Sequence, residues 1–269
     1  ITATQFKRAE QSYNAVGEWL NGSDDPLLQS VLVYLHGSAG LGTSVKPSGK
    51  AEFDIDLICF LAGVSLGIPP TAVKKAVGDR LREHRHYASI LEEKKRCWRL
   101  NYAGDFHLDI SPTIANPHCV QNGEFVPDRD LRDWHPTNPR AYKGLFTRRA
   151  DLQARFISRL LNEDAHARAH VEPFPVHVTT KKILQRVVQL LKRHRDVHFE
   201  KVKEEVAPIS IIITTLAMQS YAYCVKRHVF EDELELLVET IRMMPHFIDR
   251  TFENGRQIWA VWNETTQGE

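Results

Sequence analysis

The stretch HGSAGLGTSVKPSGKAEFDIDL, residues 36–57, places a small flexible turn ahead of two aspartates. The turn runs from Gly37-Ser38 to Gly42-Thr43, and the aspartates, Asp54 and Asp56, are separated by one residue. Turns of this kind hold phosphates through backbone N–H groups, whereas carboxylates repel phosphates. The order therefore raises the question of what could join a phosphate to the two acids.

Strand-like patterns surround both features. The β-prone run at 31–35 ends directly in the turn. Between residues 53 and 60 apolar residues alternate with Asp54 and Asp56, which is the period of a half-buried strand. Both aspartates are therefore predicted to share one strand face.

A third aspartate follows on a later strand. Residues 97–102 and 105–110 are predicted to pair as strands around Ala103-Gly104. Alternation in the second of these places His107 and Asp109 on its polar side. We interpret His107 as a hydrogen-bonding neighbour of the acids rather than as a general base.

Three carboxylates on two strands are suited to hard divalent cations. We hypothesise that Asp54 and Asp56 hold two Mg²⁺ ions, with Mn²⁺ as an alternative, and that Asp109 completes the catalytic site as a metal ligand and proton acceptor. The ions would bind a triphosphate whose far end the turn holds through N–H groups and the Ser38 hydroxyl. Each motif alone is commonly a plain turn or a solvated strand face, so it is their combination that indicates a site.

The rest of the chain predicts helices around an irregular connection. Thr2 and Gln5 form a capping box for an opening helix, and Pro69-Pro70 begins another helix. Five prolines between residues 112 and 139 predict a long irregular connection or lid. Beyond it only helices are predicted, at about 140–161, 179–198, 208–228 and 231–244, with a linker at 163–178. The fold class is therefore α+β, with a mixed-sheet catalytic lobe at 1–162, a helical lobe at 163–269 and the active site in a cleft between them.

Composition excludes several partners. Lys and Arg total 35 against 34 Asp and Glu in 269 residues, so no global basic field is present to collect long nucleic acid. The four cysteines lie far apart, which argues against a zinc site or a disulfide framework and fits a reducing cytoplasm. No apolar run reaches the roughly 20 residues of a membrane span. We expect a cytoplasmic monomer with no membrane association.

These residues resemble the nucleotidyltransferases of the polymerase-β type, whose motif is Gly-Ser, then Gly-Thr or Gly-Ser, then Asp-x-Asp, then a later Asp. Within that superfamily the chain most resembles the bacterial relatives of cyclic GMP-AMP synthase, the cyclic-oligonucleotide synthases of anti-phage signalling. Further matching stretches are FHLDISPTI around Asp109, LQRVVQLLKRHRDVHF from Leu184 and APISIIITTLA from Ala207. His36 departs from the pattern, since Gln or Ser would be expected before the Gly-Ser pair.

The resemblance implies a two-lobed, polymerase-β-like enzyme. It would make a cyclic di- or trinucleotide second messenger from ribonucleoside triphosphates, ATP among them, without a template and with release of pyrophosphate. Lys192 and Ser210 would hold the triphosphate tail together with Gly37, Ser38 and Thr43. From the pattern alone, the basic stripe that contains Lys192 is more commonly a solvated helix face. The implied partners are an effector that binds the cyclic product and, in some systems, a regulatory protein, with no obligatory nucleic acid.

Two other functions stay open at this point. One is an enzyme of the same superfamily that tails RNA or makes linear oligoadenylate. The other is a catalytically silent binding or antitoxin module, against which the three mutually repelling carboxylates count.

Overall fold

The computed structural model describes residues 3–46, 52–130, 132–157, 181–200 and 206–266. The chain divides into two compact units, one of Ile1–Gly144 with Glu264–Glu269 and the other of Leu145–Asn263. Strands and helices both occur, so the α+β class predicted from the sequence is confirmed. The predicted boundary between residues 162 and 163 lies outside the described residues and stays a prediction.

The first unit contains a mixed sheet with helices around it. Its helices are α1 (Ala3–Asn21), α2 (Gly37–Leu41), α3 (Pro70–Glu83) and α4 (Arg85–Ile90), and α5 (Pro139–Ala150) begins in it. Its strands are β1 (Val31–Leu35), β2 (Phe53–Leu61), β3 (Leu91–Glu93), β4 (Trp98–Tyr102), β5 (Phe106–Ala115), β6 (Glu124–Asp128) and β7 (Asp133–Thr137). The opening helix, the helix after Pro69 and the predicted strands are all confirmed, while Thr2 of the predicted capping box lies outside the described residues.

The sheet brings the two predicted acidic strands together. Its order is β1-β2-β5-β4-β3, and the β6–β7 ribbon continues from the far part of β5. Strands β2 and β5 are parallel neighbours, whereas β1 pairs with β2, and β4 with β5, in the antiparallel sense. The apolar positions of the central strands form one buried core with residues of α1 and α3, which are Val16, Leu20, Val73, Val77 and Leu81. That packing fixes the position of both acidic strands.

The prediction of an irregular connection at residues 112–139 is wrong. Strand β5 continues to Ala115, and β6 and β7 form an antiparallel ribbon. The prolines fit because each lies where its strand has a described neighbour on one side only, and such edge positions tolerate a residue without an N–H. These prolines are Pro112, Pro127 and Pro136.

The second unit is mainly helical. Its helices are α6 (Ile183–Phe199), α7 (Ser210–Arg227) and α8 (Glu233–Met243), with the end of α5, and its strands are β8 (Arg155–Phe156), β9 (Val229–Phe230), β10 (Asp249–Glu253) and β11 (Arg256–Ala260). Helix α7 packs against α6 and α8. Its core includes Leu184, Val188, Ala217, Tyr221 and Leu236.

The prediction that only helices follow residue 139 is wrong in two places. Helix α5 ends at Ala150 rather than near 161, because Phe156 on β8 is buried beside Phe230 on β9. Strands β10 and β11 form a hairpin whose turn residues, Asn254 and Gly255, both have positive φ. Asn-Gly is the preferred pair for this two-residue turn, so the sequence did carry the signal. The predicted linker at 163–178 lies outside the described residues.

None of the helices in the described part of the chain has both the length and the apolar composition that a membrane crossing requires.

Helix α3 contacts β4 so closely that a methyl group cannot be added at Gly78. An ideal Cβ there would lie 2.8 Å from Cη2 of Trp98 and closer still to two other ring atoms. The Trp98 ring is buried, and its Nε1 donates to the Lys74 carbonyl at 2.8 Å, so it has little freedom to move.

We expect Gly78→Ala to lower the free energy of unfolding by roughly 1–3 kcal/mol through overpacking, although alanine favours a helix interior by up to about 1 kcal/mol. The measurement is the urea midpoint. Gly17→Ala in α1 is the matched control, because its added Cβ would meet Val33 at an ordinary 3.8 Å. A Gly78→Ala protein as stable as this control would contradict the contact between Gly78 and Trp98.

Candidate active site

The three predicted carboxylates lie side by side on the sheet. Asp54 and Asp56 are two residues apart on β2, and the parallel register pairs Asp56 with Asp109 and Asp54 with His107 on β5. Paired residues of neighbouring strands project from the same face, at a strand spacing of about 4.8 Å. The Asp54 side chain is 55 % exposed and that of Asp109 is 14 % exposed. Adjacent strands thus present three acids from one face of the sheet.

The glycine turn adjoins the same acids. It folds as the short helix α2, which His36 precedes in extended conformation and Gly42 follows with φ 68°. The backbone N–H of His36 donates to the Asp56 carbonyl at 3.0 Å. Gly37 has φ 55°, and an ideal Cβ there would lie 2.9 Å from Cγ of Asp56 and closer still to Oδ2. Only glycine therefore lets the turn approach the Asp56 carboxylate this closely.

Ser38 and Thr43, both predicted to contact phosphate, differ in their surroundings. The Ser38 hydroxyl lies 3.2 Å from the Ser44 hydroxyl, and the Ser38 carbonyl accepts from the Thr43 N–H at 2.9 Å. Thr43 is 1 % exposed. The structure thus gives Thr43 a part in holding the turn closed, and the direct phosphate contacts of Gly37, Ser38 and Thr43 stay predictions.

Arg99 is a charged residue of this site that the sequence reasoning missed, as is Glu52. Arg99 lies on β4 directly opposite Asp109. Its Nε donates to Oδ1 of Asp109 at 2.6 Å and its Nη2 to Oδ2 at 2.7 Å, while Nη2 is also 3.3 Å from Oδ1 of Asp54. The sequence did contain a signal for Arg99. Apolar and polar residues alternate in WRLNY, residues 98–102, which places Arg99 on the polar face of this strand. The strand was predicted to pair with the strand that contains Asp109, so the two side chains could be expected to meet.

His107 and Glu52 form a second polar pair at the edge of the site. Nε2 of His107 lies 3.0 Å from Oε2 of Glu52, and the other Glu52 oxygen accepts from the Gly104 N–H. The described contact of His107 is thus with Glu52 rather than with Asp54, Asp56 or Asp109, and its interpretation as a hydrogen-bonding neighbour of these three acids stays a prediction.

Burial shifts the pKa values of Asp54 and His36, and the neighbouring charges modify both shifts. Partial desolvation raises the pKa of Asp54 above its ordinary value, which Arg99 opposes and Asp109 reinforces. Burial lowers the pKa of His36 to about 4, against the opposing effect of the Asp109 charge. His36 is therefore neutral near pH 7.

The side chains of the site suit a hard divalent cation, because three carboxylates on one face supply the oxygen ligands that such cations prefer. The backbone of the turn packs against one of these carboxylates, that of Asp56. Within the described residues, no three Asp, Glu, His or Cys side chains already converge as a ligand group. In this structure the Arg99 guanidinium contacts both Asp109 and Asp54.

Lys192 and Ser210 both belong to the second unit. Lys192 is 5 % exposed on α6, and Ser210 is the first residue of α7. Nη1 of Arg195 lies 2.9 Å from the Ser210 hydroxyl and donates to the Pro208 carbonyl at 3.2 Å. Arg195 was missed from the sequence, and the contacts of Lys192 and Ser210 with triphosphate stay predictions.

Comparison with known proteins relates this chain to nucleotide synthases. Residues 1–149 match the model of the Second Messenger Oligonucleotide or Dinucleotide Synthetase (SMODS) domain. A protein of Roseivirga ehrenbergii named c-di-GMP synthase is 37 % identical over 227 residues, which cover 82 % of this chain and 57 % of the relative. The cyclic dinucleotide synthase CdnG of Bradyrhizobium diazoefficiens is 27 % identical over 207 residues, which cover 71 % of this chain and 49 % of that relative.

The fold agrees with a solved structure. The Bradyrhizobium diazoefficiens CD-NTase CdnG in complex with GTP superposes with a TM-score of 0.66 at 23 % identity, covering 90 % of this chain and 71 % of that one. At this identity the likeness shows the fold, and it confirms the predicted polymerase-β-like class. The chain spans about half the length of the curated relatives that it matches.

Proposed function

We propose, from the premise that this chain belongs to the Second Messenger Oligonucleotide or Dinucleotide Synthetase family, that it joins ribonucleoside triphosphates without a template into a cyclic oligonucleotide and releases pyrophosphate. The observation that carries the proposal is the register of β2 and β5, which aligns Asp54, Asp56 and Asp109 on one face beside the Gly37 turn. This arrangement suits nucleotidyl transfer, in which catalysis is mainly positioning and charge stabilisation.

Each residue has a proposed part. Asp54, Asp56 and Asp109 would hold two Mg²⁺ or Mn²⁺ ions. Such ions, when bound, lower the pKa of an attacking hydroxyl and neutralise a departing pyrophosphate. The Asp109 carboxylate would accept the hydroxyl proton, and the Ser38 hydroxyl would donate to a phosphate oxygen. Lys192 and Ser210 would hold the triphosphate tail, where a cation offsets charge that develops on the leaving group.

GTP is the first substrate we propose. One curated relative is named c-di-GMP synthase, and the solved CdnG structure contains GTP. We therefore propose a cyclic dinucleotide that contains guanine as the main product, with ATP as the second nucleotide to test. We also propose that the product is a second messenger for an effector in anti-phage signalling, where a regulatory protein can take part. That role rests on the resemblance to synthases of such systems.

The test is product analysis with the purified protein. It is incubated with GTP alone, ATP alone or all four ribonucleoside triphosphates, with Mg²⁺ or Mn²⁺, and then treated with phosphatase and analysed by mass spectrometry. We expect a phosphatase-resistant cyclic product from GTP, and none when EDTA is present. Linear, phosphatase-sensitive oligomers would instead indicate an RNA-tailing or oligoadenylate-forming enzyme, and unchanged triphosphates would contradict the proposal.

A further inference from the structure

The Arg99 side chain occupies a defined position among the acids. Both oxygens of Asp109 accept from it, at 2.6 and 2.7 Å, in the bidentate geometry that a guanidinium and a carboxylate share. The same Nη2 lies 3.3 Å from Asp54, so one guanidinium connects two of the three acids across neighbouring strands. The Arg99 side chain is only 22 % exposed.

The fold fixes Arg99 in this position. Its neighbours on β4, Trp98 and Leu100, are buried at 3 % and 0 % exposure, and alternation therefore directs Arg99 to the opposite face. The antiparallel register sets it directly opposite Asp109. An ion pair between mobile surface side chains stabilises a protein little. The pair of Arg99 and Asp109 differs because both residues lie on paired strands of the sheet.

We propose that Arg99 is a positioning residue that fixes the Asp109 carboxylate and competes with a divalent cation for Asp109 and Asp54, an inference that rests on the proposed metal site. In the metal-free protein its charge offsets the repulsion among the acids. A cation that binds Asp54 and Asp109 has to share their oxygens with the guanidinium. Arg99 thereby weakens metal binding in the free enzyme and keeps Asp109 aligned for turnover.

Removing Arg99 has two opposed effects on metal affinity. Freeing the Asp109 side chain weakens a site by roughly tenfold or less. Removing a positive charge a few ångströms from a dication strengthens binding by more, because charges at that range interact by several times the thermal energy near a protein surface. The charge effect is the larger of the two, so the net change is tighter binding.

The test measures Mn²⁺ binding to the nucleotide-free protein by electron paramagnetic resonance. We expect Arg99→Gln to bind Mn²⁺ about tenfold more tightly than the wild type while its turnover at saturating Mg²⁺ falls about tenfold. Arg99→Lys keeps the charge but loses the bidentate hydrogen bonds to Asp109, so it is expected to bind Mn²⁺ no more tightly than the wild type and to have reduced turnover. Arg129→Gln, which removes a half-exposed arginine paired with Asp130, is the control of equal charge change and is expected to alter neither quantity.

Thermal unfolding supplies a readout that does not depend on catalysis. Metal-free Arg99→Gln is expected to unfold at a lower temperature than the wild type, because the acids lose their counter-charge, and added Mn²⁺ is expected to raise its unfolding temperature by more than that of the wild type. If Arg99→Gln does not fold, Arg99→Lys still tests the separation of affinity from turnover.

Mn²⁺ affinity of Arg99→Gln that is unchanged or weaker would overturn the inference, as would a failure of both proteins to bind Mn²⁺. Cyclic product formed by the wild type in the same preparation would show that the proposed function stands even then. If Arg99→Gln binds Mn²⁺ more tightly but the wild type forms no product, the proposed function is contradicted. The competition between Arg99 and the cation for Asp54 and Asp109 is then still supported.

Discussion

Replacing Asp54 and Asp56 together with alanine is expected to abolish pyrophosphate release while the fold is retained. The two carboxylates lie on one face of β2 beside Asp109 on β5. Each bound cation supplies several kcal/mol of charge stabilisation, so the expected loss of rate is on the order of a thousandfold or more. The measurement is release of pyrophosphate from GTP with Mg²⁺.

Retention of the fold has a physical reason. Asp54 is more than half exposed, and its charge is disfavoured by partial desolvation and by Asp109. Removing Asp54 relieves this repulsion but also removes its contact with Arg99, and it vacates no core volume. The free energy of unfolding is therefore expected to stay within about 1 kcal/mol of the wild type.

The matched control is Asp79→Ala on α3, which removes an exposed carboxylate paired with Lys75 and Arg82. It is expected to cost at most about 1 kcal/mol of stability and to leave turnover unchanged. A double variant that releases pyrophosphate as fast as this control would refute the metal-binding role of Asp54 and Asp56. Loss of activity in both proteins would point to a general effect of charge.

Gly37→Ala is the second substitution with a large expected effect, on the order of a hundredfold loss in kcat. The added Cβ would overlap the Asp56 carboxylate, which then has to move by about 1 Å. Positive φ at Gly37 adds a strain of roughly 1–2 kcal/mol for any residue with a Cβ. Turnover and the urea midpoint, measured on the same preparation, separate the two effects.

Gly104→Ala is the control, because it adds the backbone strain of a positive φ without a steric overlap. Gly104 also has positive φ, at 78°, but an ideal Cβ there meets nothing within 4 Å. Both variants are expected to lose a similar free energy of unfolding, and only Gly37→Ala is expected to lose most of its turnover. Equal losses of turnover would mean that backbone strain, and not the displacement of Asp56, limits the reaction.

The local order of motifs was sufficient to predict the family and the fold class. A Gly-Ser turn after one strand, two alternate acids on the next and a third acid on a later strand require only short-range patterns, and the matched domain model and relatives confirm the family. Alternation also placed Asp54 and Asp56 on one face, because side chains of a strand alternate with a period of two. The roles of these residues, like the lobe boundary, stay predictions.

Composition gave wrong predictions of secondary structure where contacts between distant parts of the chain determine it. The prolines between residues 112 and 139 suggested irregular chain, yet strand edges tolerate residues without an N–H. The helix from Pro139 ends at Ala150 because Phe156 is buried beside Phe230, more than 70 residues later in the chain. The hairpin at Asn254-Gly255 could have been predicted from the sequence, because the Asn-Gly pair that signals its turn is local.

The sequence by itself determined which residues are acidic, which face of each strand they share and the order in which the motifs follow one another. Only the tertiary structure decided that Asp56 lies opposite Asp109, that Arg99 binds Asp109 from the other side and that Gly37 touches the Asp56 carboxylate. The reason is physical: alternation sets the face of a strand, but the register between strands is set by the packing of the whole core. A shift of one residue along β5 would separate these charges without changing any local pattern.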